Sequence, residues 1–133
     1  LMGPGSHGST YGGNPLVCAA SLAVLKEIRE KELAVNAILQ EVRIRETIRS
    51  WNLPVITEVR GQGLLIGIAL DPTLIPTPEG KTPALVVVNK LMERALLVPP
   101  AGPNAFRLLP PLNVTDAEID EAMVTIHSVL SEF

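Results

Sequence analysis

One arginine lies where it could bind a carboxylate. Arg107 stands between Phe106 and Leu108-Leu109, in a short run bounded by Pro99-Pro100 and Pro110-Pro111. A guanidinium fixed in such a strand can bind a carboxylate through two parallel hydrogen bonds. From the residues alone, a structural ion pair or an edge-strand arginine pointing to water is an open alternative.

Hydroxyl groups and glycines are concentrated in the first fifteen residues. Ser6, Ser9 and Thr10 lie among five glycines, and Asn14-Pro15 is typical of a helix start, with asparagine as the N-cap and proline at the first helical position. A glycine-rich loop that leads into a helix can bind an anion such as phosphate through hydroxyls and backbone N–H groups. A flexible terminal linker is the alternative.

Other reactive residue types indicate no further chemistry. His7, Cys18 and His127 are too far apart in the sequence to predict a metal site. Cys18 lies in an apolar stretch of a predicted helix, which favours a small buried hydrophobe over a nucleophile. The acidic residues in 116–121 lie at a predicted helix N-terminus, where the helix dipole stabilises negative charge, so they require no catalytic role.

Composition limits the class of protein. The chain has 133 residues, 47% hydrophobic and 19% charged, which suits one globular domain. A net charge of -3 and 3% aromatic residues argue against a nucleic-acid partner. No apolar run reaches the roughly 18 residues of a membrane span, and no basic leader precedes a cleavage site. We therefore expect a cytoplasmic protein without a membrane partner.

Helices and short strands are predicted along the chain, and these elements must position the residues named above. Strands at 55–59 and 64–70 predict a hairpin linked by 60–63, and two shorter strands are expected at 96–98 and 105–109. Helices are predicted at 15–31, 32–51, 82–94 and after a capping box at Thr115. In the third helix we expect Leu85, Val88, Leu91 and Met92 to face the core. The fold class is α+β, a small mostly antiparallel sheet with helices on one side.

Two motifs carry a resemblance to a known family. GSHGSTYGGNPL at 5–16, and AGPN at 101–104 followed by FRLLPPL at 106–112, resemble segments of class III pyridoxal-phosphate-dependent aminotransferases, most of all the acetylornithine aminotransferases. The resemblance runs over essentially all 133 residues in the same order. It corresponds to the C-terminal third of such an enzyme.

The resemblance implies a domain organisation. Residues 1–14 would be a glycine-rich loop left over from the large domain. Residues 15–133 would be the linking helix and the C-terminal small domain of fold-type I pyridoxal-phosphate transferases.

It also implies roles for individual residues. Arg107 would bind the α-carboxylate of the amino-acid substrate and of 2-oxoglutarate. Thr10, with Ser9 as a weaker companion, would reach the pyridoxal 5'-phosphate of the neighbouring subunit, which implies a homodimer. The lysine that binds the cofactor covalently would lie upstream, so we expect no catalytic residue in this chain and no activity of the chain alone.

The implied reaction is amino transfer from N2-acetyl-L-ornithine to 2-oxoglutarate, in arginine biosynthesis. Ornithine, succinylornithine and 4-aminobutyrate aminotransferases are the nearest alternatives within the family. A non-catalytic α+β binding module is the alternative from a different class.

Overall fold

The computed structural model describes residues 3–5 and 7–133. It divides into two compact units, one up to Ala34 and one from Val35 to Phe133. The predicted boundary between residues 14 and 15 stays a prediction. Seven elements follow in order: α1 Pro15–Glu30, α2 Leu33–Trp51, β1 Ile56–Gln62, β2 Leu65–Leu70, α3 Pro83–Glu93, β3 Ala105–Leu108 and α4 Asp116–Leu130.

The second unit is built on a three-stranded antiparallel sheet in the order β1-β2-β3. Ile66 pairs with Leu108 and Ile68 with Phe106, and all four side chains are buried. Successive residues of a strand point to opposite faces, so these pairs define the core face of the sheet. The α+β fold class expected from the sequence is confirmed.

Helices α2 and α4 contribute to that core, and side chains of α2 donate hydrogen bonds to two carboxylates of α4. Arg43 donates from Nε and Nη2 to the two carboxylate oxygens of Asp120, at 2.8 and 2.6 Å. Gln40 donates to Asp116 at the start of α4, at 2.6 Å. Buried side chains of the two helices complete the apolar side of this contact: Ala37, Ile44 and Ile48 from α2, and Ile119, Met123, Ile126, Val129 and Leu130 from α4.

The predicted capping box of α4 is confirmed, and α3 has a side-chain cap as well. Thr82 accepts a hydrogen bond from the N–H of Leu85, and Pro83 occupies the first turn. Thr115 and Glu118 form a reciprocal capping box. These side chains satisfy N–H groups that have no partner within the helix.

The buried face of α3 differs from the prediction. Leu91 is buried as expected, but Leu85 and Met92 are exposed by 37% and 54%. Ala84 and Val87 take their places in the interior. Residues 85–88 are all apolar, so they do not indicate which side of α3 is buried, and packing against the sheet decides it.

Helix α1 has no buried residue. Leu16, Leu22 and Leu25 are exposed by 79%, 68% and 62%. Cys18 is exposed as well, so the expectation that it is a buried hydrophobe is wrong for this unit. No helix among residues 3–5 and 7–133 is long and apolar enough to cross a lipid bilayer.

The hairpin also differs from its predicted form. β1 continues through Gly61 to Gln62, where 60–63 was expected to be the link. Gly61 is the reason, because its φ of +127° lets the strand continue past Leu65. A Cβ atom at Gly61 would lie 1.9 Å from the carbonyl oxygen of Leu65, so a side chain there is excluded by backbone.

Helix α2 holds the free edge of this hairpin. Arg45 donates from Nη1 to the carbonyl of Val59 at 2.9 Å and from Nη2 to that of Gly61 at 2.7 Å. Glu41 accepts from Nε of Arg45 at 2.8 Å and from the N–H of Gly63 at 2.5 Å. An ion pair on the helix therefore satisfies edge groups of β1 that would otherwise be open to another strand.

The predicted strand at 96–98 is absent from the described residues, and only Pro100 forms an isolated bridge, to Phe106. Proline has no N–H to donate to a ladder, so Pro99-Pro100 cannot continue a regular strand.

We predict that Gly61→Ala lowers the free energy of unfolding by about 3 kcal/mol, through a backbone clash added to a strained φ. Gly80→Ala is the control, because Gly80 also has positive φ, +75°, with nothing within 4 Å of a Cβ atom. Its cost should be about 1 kcal/mol, from conformational strain alone. Urea unfolding measures both, and equal costs would contradict the clash at Leu65.

A second prediction concerns pH. The hydrogen bonds from Arg45 and from the backbone of Gly63 lower the pKa of Glu41. A lowered folded-state pKa means that the contribution to stability is present above the ordinary carboxyl pKa and is lost as pH falls through the lowered one. We therefore expect Glu41→Gln to destabilise the protein at neutral pH, by a difference that shrinks as the solution becomes acid.

The control for this measurement is Glu46→Gln, which removes an exposed carboxylate of the same helix. Unfolding midpoints of the three proteins, measured over a pH series, test the prediction. A Glu41→Gln difference that stays constant from neutral to acid pH would show that the ion pair is not the cause.

Candidate functional site

Arg107 lies in β3 between two buried neighbours. Phe106 is 0% and Leu108 7% exposed, and both side chains enter the core. Because side chains alternate along a strand, Arg107 must point to the opposite face of the sheet, where it is exposed. The sequence therefore fixes the direction of this guanidinium through the apolar residues on either side.

The backbone of β3 is held on both edges. On one edge Arg107 pairs with Gly67 of β2. On the other, its N–H donates to the carbonyl of Pro99 at 3.1 Å, and Ala101 donates to Ala105 at 2.7 Å. The proline-rich flank seen in the sequence thus pairs with β3, and the backbone at Arg107 is held in place from both sides.

The side chain of Arg107 makes no hydrogen bond or ion pair with any residue that the structure describes. Arg43 and Arg45 differ, because their guanidinium groups are bound to carboxylates or carbonyls. Within the described residues the structural ion pair considered for Arg107 is therefore excluded. Its donors are available to an external anion.

Small residues of the sheet lie next to Arg107 on this open face. Gly67 lies beside it, and the next row of the sheet places Ala69 beside Ala105. Within β2, Gly67 and Ala69 are small, whereas Leu65 on the same face is exposed by 53%.

Sequence reasoning missed a second arginine on the same face. Arg60 was assigned to the link of the hairpin, yet it lies in β1 and pairs with Gly67. The available signal was the apolar residue Val59, whose inward side chain requires Arg60 to face outward.

Thr10 lies in a turn of the glycine-rich loop, Ser9 directly precedes it, and both are exposed. The carbonyl of Ser9 accepts from the N–H of Gly12 at 3.3 Å, and Gly13 has a φ of +71°. The expected hydroxyl of Ser6 lies outside the described residues.

The loop ends in the predicted helix cap. Asn14 accepts from the N–H of Val17 at 3.0 Å and donates from its amide to the carbonyl of Tyr11 at 2.6 Å. Pro15 follows at the first helical position. The start of α1 is thus well formed, although no residue of this helix is buried.

Two hydroxyls of this loop are suitable donors for a phosphate group. The hydroxyls of Ser9 and Thr10 make no hydrogen bond with a described residue, so each can donate to a phosphate oxygen. Thr10 and Arg107 belong to different structural units. Among residues 3–5 and 7–133, no group of three or more His, Cys, Asp or Glu residues could hold a metal ion.

Comparison with known proteins gives one family. The model of the family described as aminotransferase class-III matches residues 1–130. Acetylornithine aminotransferase of Synechocystis is 39% identical over 131 residues, which are 96% of this chain and 29% of that protein. Ornithine aminotransferase of Bacillus cereus is 37% identical over 128 residues, which are 96% of this chain and 30% of that protein.

Solved structures agree with these relatives. Acetylornithine aminotransferase from Elizabethkingia anophelis superposes with a TM-score of 0.82 at 34% identity, over 99% of this chain and 34% of that one. Ornithine aminotransferase from Toxoplasma gondii ME49 gives 0.82 at 34% identity, over 98% of this chain and 30% of that one.

The chain thus spans about a third or less of the length of these relatives, whereas the family match covers nearly all of the chain itself. The chain belongs to the class III aminotransferases, a family that depends on pyridoxal phosphate.

Proposed function

We propose that the chain is the C-terminal portion of an acetylornithine aminotransferase, which transfers the amino group of N2-acetyl-L-ornithine to 2-oxoglutarate in arginine biosynthesis. Residues 1–14 then belong to the large domain, and 15–133 form the linking helix and the small domain. The similarity to acetylornithine aminotransferases, at 39% and 42% identity, supports this assignment.

The observation that carries the proposal is the unpaired guanidinium of Arg107 on the open face of the sheet. Both proposed substrates carry an α-carboxylate, and an arginine binds a carboxylate through two parallel hydrogen bonds. Because the strand that carries Arg107 is held on both edges, little order has to be gained when the carboxylate binds. Arg107 orients both substrates in turn.

Thr10, with Ser9 beside it, donates hydrogen bonds to the cofactor phosphate of a neighbouring subunit in this proposal. Bound pyridoxal phosphate supplies the electron sink for amino transfer. Homodimeric assembly and a cytoplasmic location accompany this proposal as predictions.

The 133-residue chain contributes binding groups and no catalytic residue. Its four lysines are Lys26, Lys31, Lys81 and Lys90, and none lies in the glycine-rich loop. Lys31 is paired with Glu27, and Lys90 with Glu132. We therefore propose that the chain alone is inactive.

Ornithine aminotransferase is the second candidate, because relatives of that name are 37% identical. Succinylornithine and 4-aminobutyrate aminotransferases are further alternatives. The α-carboxylate role of Arg107 is compatible with acetylornithine, ornithine and succinylornithine as amino donors, since each carries an α-carboxylate. A purely non-catalytic binding module is the alternative outside the family's reaction.

We predict that Arg107→Gln in the intact enzyme lowers kcat/KM for both substrates about 100-fold, which corresponds to a lost charge-assisted pair of hydrogen bonds. Arg107→Lys should recover part of the loss, because a lysine keeps the charge but not the two parallel bonds. Steady-state kinetics with each substrate measures the effect.

Arg49→Gln is the matched control, since it removes an exposed arginine of α2 outside the open face. It should leave kcat/KM within about twofold of the unchanged enzyme. Equal losses in Arg49→Gln and Arg107→Gln would contradict a specific role for Arg107.

The inactive-chain proposal has its own test. We expect that the 133-residue chain, mixed with pyridoxal phosphate and reduced with borohydride, forms no stoichiometric adduct on one specific lysine, whereas the intact protein does. Peptide mass mapping locates any adduct. A specific stoichiometric adduct on the chain alone would overturn the proposal, and its absence from the intact protein would favour the binding module.

A further inference from the structure

Three residues form one row across the open face of the sheet. Arg60 of β1 pairs with Gly67 of β2, and Gly67 pairs with Arg107 of β3. Neighbouring strands lie about 4.8 Å apart, so the backbones of the two arginines are separated by roughly 10 Å. An extended arginine side chain spans more than half of that distance.

Arg60 already leans over the strand between them. A Cβ atom placed on Gly67 would lie 3.6 Å from Cγ and 3.8 Å from Nε of Arg60. The side chain of Arg60 therefore covers Gly67 at van der Waals distance and extends in the direction of β3. Glycine is the residue that leaves this space empty.

One carboxylate of the same face orients Arg60. Glu58, two residues earlier on β1, accepts from Nη1 of Arg60 at 3.1 Å. The structure gives Nε and Nη2 of Arg60 no partner among the described residues. Arg60 thus retains N–H donors for a ligand after its ion pair is made, and Arg107 retains all of its side-chain N–H donors.

We propose that Arg60 is a second binding group for the substrate carboxylate held by Arg107, so that two guanidinium groups converge on one carboxylate above Gly67. The proposal rests on the carboxylate role of Arg107 proposed above. A carboxylate has four acceptor positions, so it can accept from both arginines at once. Glu58 is a positioning residue that keeps Arg60 over Gly67.

The test uses glutarate, a dicarboxylate without a reactive carbonyl, and butyrate, which has one carboxylate. We expect Arg60→Gln in the intact enzyme to raise the Kd of both by about fivefold in calorimetric titration, since an exposed charged contact is lost. The KM for 2-oxoglutarate should rise by the same factor, with kcat within twofold. Arg60→Lys should restore most of the affinity.

Gly67→Val provides an independent variant, because it leaves every charge in place. Valine suits a strand, and its branched side chain occupies the space that Arg60 now covers. It should weaken glutarate binding as much as Arg60→Gln does. Arg49→Gln, which changes the net charge equally at another surface, should leave both Kd values unchanged.

The outcomes separate the two proposals. If Arg107→Gln abolishes glutarate binding and Arg60→Gln leaves it unchanged, the role of Arg60 is wrong and that of Arg107 stands. If neither variant changes binding, both are wrong. A loss confined to glutarate, with butyrate unaffected, would mean that the arginines bind different carboxylates, which overturns the shared site.

Discussion

The direction of Arg107 depends on the burial of its two neighbours. Phe106 and Leu108 fill the core beneath β3, and alternation along the strand leaves the residue between them on the outer face. A shift of the register by one residue would bury the guanidinium and expose two large apolar side chains. Burying an unpaired charge costs several kcal/mol, so the core itself enforces the outward direction. The proposed carboxylate site is therefore a consequence of core packing.

The register is maintained by polar contacts at the far edge of the sheet. Gly61 allows β1 to pass close to the carbonyl of Leu65, and Arg45 occupies the outer carbonyls of the same segment. Glu41 joins Arg45 to the N–H of Gly63. These contacts fix β1 against α2, and β1 in turn determines where Arg60 lies. The glycines of this hairpin thus act through backbone geometry, with no direct part in chemistry.

The sequence alone predicted the fold class, the Asn14-Pro15 start of α1 and the capping box of α4, because each rests on local rules. The direction of Arg107 was left open, since a structural ion pair was an alternative. Asn14, Thr82 and Thr115 cap as their residue types predict. The buried face of α3, the carboxylate partners of Arg43 and the carbonyl partners of Arg45 were not predictable, since they depend on residues about 15 to 75 positions away. Arg60 was missed because its turn-like RGQG context conceals a strand.

The two partial sites differ in how far the chain builds them by itself. Arg107 sits on a sheet whose core holds fully buried side chains from strands and helices, so its geometry is set within residues 35–133. Thr10 lies in an exposed loop ahead of a helix without one buried residue. The proposed phosphate contact by Thr10 therefore requires order supplied by another part of the protein, whereas the proposed carboxylate contact by Arg107 requires only the sheet. The affinity of this chain for carboxylate and its affinity for phosphate should accordingly be separable. The first depends on the packed core of residues 35–133, and the second depends on a helix, α1, that has no buried residue.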